Sequence, residues 1–154
     1  MLELLAPAGS MEALRAAVQN GADSVYMGFG DFNARRGAKN LTVDEMQQAV
    51  DYCRLRGVKT NITLNTLVTD REMSGAQELV EILNRIGADA VIVADLGVAK
   101  LIREVCPDLP IHASTQMTVH NLEGVRRLAE IGFTRVVLAR EMTREEIKKI
   151  CKES

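Results

Sequence analysis

The chain has 154 residues, 47% of them apolar and 26% charged, with a formal net charge of -2, the composition of an ordinary globular domain and not of a disordered or fibrous chain. Nineteen Lys and Arg stand against 21 Asp and Glu, so overall charge gives nucleic-acid binding no support, although a local basic patch stays open. Apolar runs such as 90–94 and 136–139 fall far short of the roughly 20 residues of a membrane span; the opening MLELLAPAGS has no basic n-region, which leaves a cytoplasmic location as the expectation.

Leu2 to Ala6 reads as a first strand, and Met11, Leu14 and Val18 then repeat at helical spacing behind Ser10, an N-cap residue type. From there one unit recurs, in NGADSVYMGF (20–29), RGVKTNITLN (56–65), IGADAVIVAD (86–95) and IGFTRVVLAR (131–140). Each is a helix-stopping Gly, a short link and a strand, with β-branched runs suited to burial on a parallel sheet. A further strand, Pro110 to Gln116, follows CPDLP, where Pro107 and Pro110 end the preceding helix.

Between the strands the apolar period changes to that of helices: Met46, Ala49, Val50 and Cys53; Ala76, Leu79, Val80 and Leu83; Leu101, Ile102 and Val105; Val125, Leu128 and Ala129. Thr42 with Glu45, Thr69 with Glu72 and Thr143 with Glu146 have capping-box spacing, and Asn121 is a simpler cap. Strand starts near 2, 24, 59, 90, 111 and 135 give a (βα) unit six times over, at the spacing of right-handed crossovers.

A parallel α/β sheet follows, either doubly wound or barrel-like. Asn61, Thr63 and Asn65 share one strand face, and so do His112, Ser114 and Gln116. A doubly wound sheet buries both faces under helices and has no place for two polar combs, whereas a barrel lumen does. The reading is therefore a single TIM-barrel-like domain over 1–154, truncated to six units and lacking the last two. Its exposed sheet edges at the first and sixth strands would favour self-association.

In such folds the C-terminal strand ends and the loops after them build the site. Here they supply 28–36, Asn65, Asp95, Ser114 to Met117, Arg140 and Glu141. Asn33 and Arg35, with Arg36 and Lys39, lie on the longest loop, where guanidinium groups suit a carboxylate or phosphate; a solvated loop is the plain alternative. The GFGDFN run there lacks the third Gly of a dinucleotide fingerprint, and its helix starts too late.

Asp95 and Glu141 could serve as acid and base, and Asp95 could equally cap the helix after it. His112 lies deeper than the mouth and reads as a hydrogen-bonded interior residue before a base. A triad of Ser114, His112 and Asp95 is disfavoured because positions i and i+2 of a strand point the same way without a Ser–His hydrogen bond. No Lys ends a strand, which argues against a Schiff base. Cys53, Cys106 and Cys151 are widely spaced, specify neither disulfides nor zinc, and read as small buried hydrophobes for Cys53 and Cys151.

ELLAPAGS, GADSVYMGFGDFNAR, ASTQM and LAREMT together resemble the N-terminal barrel region of the collagenase-like peptidase family (peptidase family U-32), over essentially the whole chain. The resemblance implies a TIM-like barrel. It implies a protease of unassigned catalytic type, with a peptide substrate, or alternatively a hydroxylation factor acting on tRNA, rRNA or ubiquinone, in several members with an iron–sulfur cluster. Its Gly- and Cys-rich segment has no counterpart in these residues, so no cofactor is expected within this segment and the three cysteines are not cluster ligands. Carried over by position, the pattern points to Asn33, Arg35, Ser114, Thr115, Gln116, Arg140 and Glu141.

The peptidase reading is the main expectation, with catalytic residues drawn from Glu141, Arg140 and Asp95 and a substrate wall from Asn33, Arg35, Asn65, Ser114, Thr115 and Gln116. RNA or quinone hydroxylation is the second, and a non-catalytic scaffold or binding module the third, because no complete catalytic set occurs within the 154 residues.

Overall fold

A computed structural model describes residues 2–30, 32–33 and 41–154. The elements run β1 (Leu5–Pro7), α1 (Met11–Gln19), β2 (Ser24–Gly28), α2 (Val43–Arg54), β3 (Lys59–Leu64), α3 (Met73–Ile86), β4 (Ala90–Val93), α4 (Leu96–Val105), β5 (Ile111–Ala113), a 3-10 turn (Thr115–Met117), α5 (Leu122–Ile131), β6 (Phe133–Val136) and α6 (Arg144–Glu153). All six strands are parallel and lie side by side in sequence order. A doubly wound sheet reverses its strand order at a switch point; this one never reverses. It is TIM-barrel-like, as the two polar combs require.

Strictly sequential right-handed crossovers place every helix on one face of the sheet. The side chains aimed at that face, Val25 and Met27, Ile62 and Leu64, Val91 and Val93, Ile111 and Ala113, form the core with Met46, Val50, Leu83 and Ile102 from the helices. The opposite face carries Ser24, Tyr26, Lys59, Asn61, Thr63, Ala90, Ile92 and His112, which fall in register across the strands. That face is the lumen. Asn61 is buried, and its amide donates to the Val25 carbonyl (3.2 Å), while the Thr63 hydroxyl donates to Met27 O (3.3 Å). Much of the third-strand comb is thus satisfied within the sheet itself.

Six flat strands at about 4.8 Å spacing would hold the outer two about 24 Å apart. Instead Arg135 of β6 forms a two-pronged ion pair with Glu3, just ahead of β1, at 2.9 and 2.6 Å. The sheet must curl for a Glu and an Arg to meet. The Ser24 hydroxyl donates to the same carboxylate at 2.7 Å. β1 and β6 do not pair with each other, so this contact bridges the two edges at the N-terminal end of the lumen.

Local boundaries depart from the sequence reading in identifiable ways. The first ladder starts at Leu5, not Leu2, because the Asp23 carboxylate takes the Leu4 N–H. The fifth strand stops at Ala113 and not Gln116: the Ser114 hydroxyl accepts the Gln116 N–H, and a 3-10 turn begins. Both Thr42 and Thr143 boxes form as expected. The Thr69–Glu72 pair instead closes a turn on itself, with Glu72 Oε2 bound to Thr69 N and Oγ1, and α3 starts at Met73. Gly87 ends α3 in the left-handed conformation, as the repeated unit requires. Cys53 and Cys106 are buried and Cys151 is exposed, contrary to its apparent place on an apolar stripe. Ile150 is the buried residue of α6, and Cys151, its neighbour, turns off that face.

The Arg135 hydrogen bonds, then Ser24, hold the Glu3 carboxyl down at about 2, against an ordinary value of 4.5. A depressed carboxyl stabilises the fold above its unfolded value, and the contribution disappears as pH falls through the folded one. Both side chains are partly open to solvent, so the pair is worth about 1 kcal/mol. In urea titrations Glu3→Gln should lower stability by about that amount at pH 7, and the wild-type advantage over the variant should vanish between pH 4.5 and 2; a constant difference down to pH 2 would refute the pairing.

Candidate functional site

The C-terminal ends of the strands present two polar groupings. The first lies over the lumen. Asn65, just past β3, donates its amide to Ser114 Oγ at 3.3 Å, and Ser114, just past β5, is only 2% exposed. Between them lies β4, so this hydrogen bond spans the mouth above a strand whose lumen-facing residues, Ala90 and Ile92, are apolar. On the β2 side Asn33 is 1% exposed, with its amide donating to Gly30 O at 2.8 Å. Its side chain lies against Gly28, where an added Cβ would come within 3.0 Å of the Asn33 amide carbon and oxygen. Gly28 is in register with Thr63. A glycine there is what lets Asn33 settle over the lumen.

The second grouping lies outside the mouth, between the loop after β5 and the loop after β6. Thr118 is left-handed at φ 52°, the non-glycine residue with positive φ among those described, a strained state for a β-branched residue. It follows the 3-10 turn, whose cap is Ser114. Val119 O then accepts the Ala139 N–H at 2.9 Å, which fastens the two loops together. Thr118, His120, Ala139, Glu141, Met142 and Glu146 line an open cleft of about 330 Å³. His120 Nδ1 is 2.8 Å from Thr118 O. Glu146 closes the α6 capping box, and its hydrogen bonds from Thr143 hold its carboxyl below the usual range.

The sequence-predicted residues divide among several places. Asn33, Asn65 and Ser114 are in the first grouping, and Glu141 is in the second with Arg140 exposed beside it. Thr115 is half-buried and Gln116 exposed, both on the 3-10 turn and not on a strand wall. Asp95 caps α4: Oδ1 accepts the Val98 N–H at 3.0 Å, and Oδ2 the Val68 N–H at 3.3 Å. Both of its oxygens brace backbone. Arg35 lies outside the described residues.

His112 lies two residues before Ser114 on β5, in register with Arg135 of β6. Burial, then the Arg135 charge, pushes its pKa down to about 4, so the ring is neutral at pH 7. Ser114 has Asn65 and its own turn as partners, and the disfavoured Ser–His pair does not form. His120, Thr118 and Met142 escaped the sequence reading, since a left-handed Thr has no glycine to announce it; Glu146 was visible only as a cap. No group of three or more His, Cys, Asp or Glu able to hold a metal ion occurs among the described residues. Burial pushes the Cys53 thiol up to about 11 and raises Cys106, and Cys53, Cys106 and Cys151 belong to no such group. No helix among the described residues is long and apolar enough to cross a membrane.

A parallel, sequentially ordered sheet with its polar groups gathered at the C-terminal strand ends defines a (βα)-barrel-type domain. The chain belongs to peptidase family U32, whose sequence profile matches residues 9–154. It is 39% identical over 149 residues to the 23S rRNA 5-hydroxycytidine C2501 synthase of Escherichia coli, covering 97% of this chain and 22% of that protein. Against the tRNA hydroxylation protein P1 of Bacillus subtilis it is 36% identical, over 96% of this chain and 35% of the relative. The collagenase of Porphyromonas gingivalis is 34% identical, with 96% and 35% covered. The chain thus spans about a fifth to a third of the length of these relatives. A solved U32 peptidase superposes with a TM-score of 0.79 at 16% identity, over 100% of this chain and 66% of the other, a likeness of fold.

The Gly28 contact is open to a direct check. Gly28→Ala should displace Asn33 and cost about 1–3 kcal/mol, read as a lower urea midpoint with a changed Asn33 side-chain amide resonance. An unshifted Asn33 resonance would mean that its seat does not depend on Gly28.

Proposed function

We propose that this chain forms the barrel portion of an RNA hydroxylation protein acting on ribosomal or transfer RNA. The observation that carries this reading is the environment of Ser114. A serine protease needs a base within hydrogen-bond reach of its nucleophile, but Ser114 is engaged by Asn65 and by its own turn. His112, on the same strand face two residues away, makes no hydrogen bond with it among the described residues and, pushed down to about 4, is a weak base. What the mouth offers is neutral amide and hydroxyl groups, suited to holding a polar substrate, with Arg140 and Glu141 on its rim. Relatives named for rRNA and tRNA hydroxylation match nearly the whole chain. Proteolysis is favoured by the family's description and by the names of relatives such as the P. gingivalis collagenase, and no base for Ser114 accompanies those names among the described residues. An iron–sulfur cluster is compatible with the RNA reading only if its ligands come from outside Cys53, Cys106 and Cys151.

Deletion of the full-length gene should remove, from digested tRNA or rRNA, one nucleoside heavier by one oxygen than its parent. Complementation with the wild type should restore it, and Ser114→Ala or Asn65→Ala should restore at least about tenfold less. Unchanged RNA, together with gelatin cleavage by the purified protein, would replace this reading with the peptidase one.

A further inference from the structure

We propose that the outer face of α6 is a docking surface for an RNA backbone, with Arg144, Lys148 and Lys152 forming a row of cations that each take a phosphate. The proposal rests on the RNA reading above and gives that reading a place where the polyanion is held.

The chain as a whole has more carboxylates than cations, yet residues 140–152 hold five of its 19 Lys and Arg against three of its 21 Asp and Glu. The excess is local. Arg144, Lys148 and Lys152 recur at every fourth residue of α6, and all three are exposed. Four residues advance a helix by about 6 Å and carry it about 40° past a full turn, so the three side chains stand in one row. Ile150 is the buried residue of the helix, and Lys148 lies about 160° around from it. The row therefore faces solvent. Arg140 precedes it by the same interval, exposed in the turn after β6, on the rim of the mouth.

Other helices neutralise their cations locally: Arg54 pairs with Asp51, Lys100 with Glu104, Arg126 with Glu123 and Arg127 with Glu130. On α6 no ion pair forms among the described residues, although Glu145 and Lys149 stand four apart. Glu146 is committed to the cap, where its carboxylate accepts from Thr143 N and Oγ1, each at 2.7 Å. Glu146 and Glu153 lie at least about 140° around from Lys148, so two of the three acids are turned away from the row. Like charges four apart on a helix repel and weaken it. Folding alone thus disfavours the row, whereas a polyanion accounts for it. Each cation that neutralises a phosphate releases a condensed counterion, and such contacts orient the nucleic acid without reading its sequence. That leaves the reacting nucleotide to the mouth. α6 has no aromatic residue and buries Ile150, which makes a membrane surface the poorer partner.

Binding of the full-length protein to an unmodified tRNA transcript would be followed by fluorescence anisotropy from about 50 to about 200 mM salt. Arg144→Gln, Lys148→Gln and Lys152→Gln together should flatten the slope of log K against log salt by about 2 and weaken binding at least about tenfold at the low-salt end. Arg15→Gln, Arg85→Gln and Lys100→Gln together make the same charge change at exposed positions of α1, α3 and α4, and should leave the slope within about 0.5 of wild type. The α6 variant should also melt no lower than wild type, since it loses only repulsion along the helix. An unchanged slope in that variant, or an equal loss in both, would overturn the docking row and leave the RNA reading standing. Weakened binding with a lower melting temperature would assign the three cations to stability instead, and tighter binding to phosphatidylserine vesicles than to RNA would assign them to a membrane. Failure of the wild type to bind the RNA at any salt would overturn both readings.

Discussion

Six parallel strands in unbroken sequence order impose one constraint from which most of this structure follows: each right-handed crossover puts its helix on the same face, so the two faces of the sheet meet unlike surroundings. One face is sealed by helices and can be built from Val, Ile, Leu and Met. The other has no helices to bury it and must curve onto itself. The pair between Glu3 and Arg135 is the ionic form of that curvature, joining segments 132 residues apart in sequence. Its position also explains its electrostatics. Glu3, Arg135, Lys59 and His112 act on one another within the lumen: hydrogen bonds from Arg135 and then Ser24 hold the Glu3 carboxyl down, and burial, then the Arg135 charge, keeps the His112 imidazole neutral.

Among the described residues, the formal charges of the lumen gather around the Glu3–Arg135 pair that holds the edges together, while the described part of the mouth carries amides and a hydroxyl. The half-buried His112 ring beside Arg135 is a poor proton acceptor but an acceptable neutral filler.

Much of this was legible in the sequence because two periodicities coexist along it. The repeated Gly–link–strand unit located β2, β3, β4 and β6 to within about two residues, and the alternation in Asn61, Thr63 and Asn65 distinguished a lumen from a doubly wound sheet. Errors arose where a side chain competed with the backbone ladder. Asp23 takes the N–H of Leu4, Ser114 takes that of Gln116, and Glu72 folds back onto Thr69. Short polar side chains are equally at home on a lumen face and in a turn, so alternation alone could not tell where the fifth strand stopped. Asp95 illustrates the same ambiguity at the site. A carboxylate at a strand end is equally suited to chemistry and to capping, and the hydrogen bonds from Val98 and Val68 show the capping task formed here.

The second grouping was illegible for a different reason. Its members come from 118–120 and 139–146, and what brings them together is a single backbone hydrogen bond, Ala139 N to Val119 O. No residue type encodes such a contact. Nor does Thr advertise a left-handed conformation, since a β-branched residue is among the least suited to it; glycine would have made the turn easily and would have been read as one. The retention of a strained Thr at the point where one loop turns to meet another means that the surrounding contacts over-determine it: the 3-10 turn before it, Val119 beneath its neighbour loop, and the α5 cap after it. A strained backbone persists only where packing on both sides enforces it, so the cleft beside Thr118 is part of the framework of the fold and its shape does not wait on a ligand.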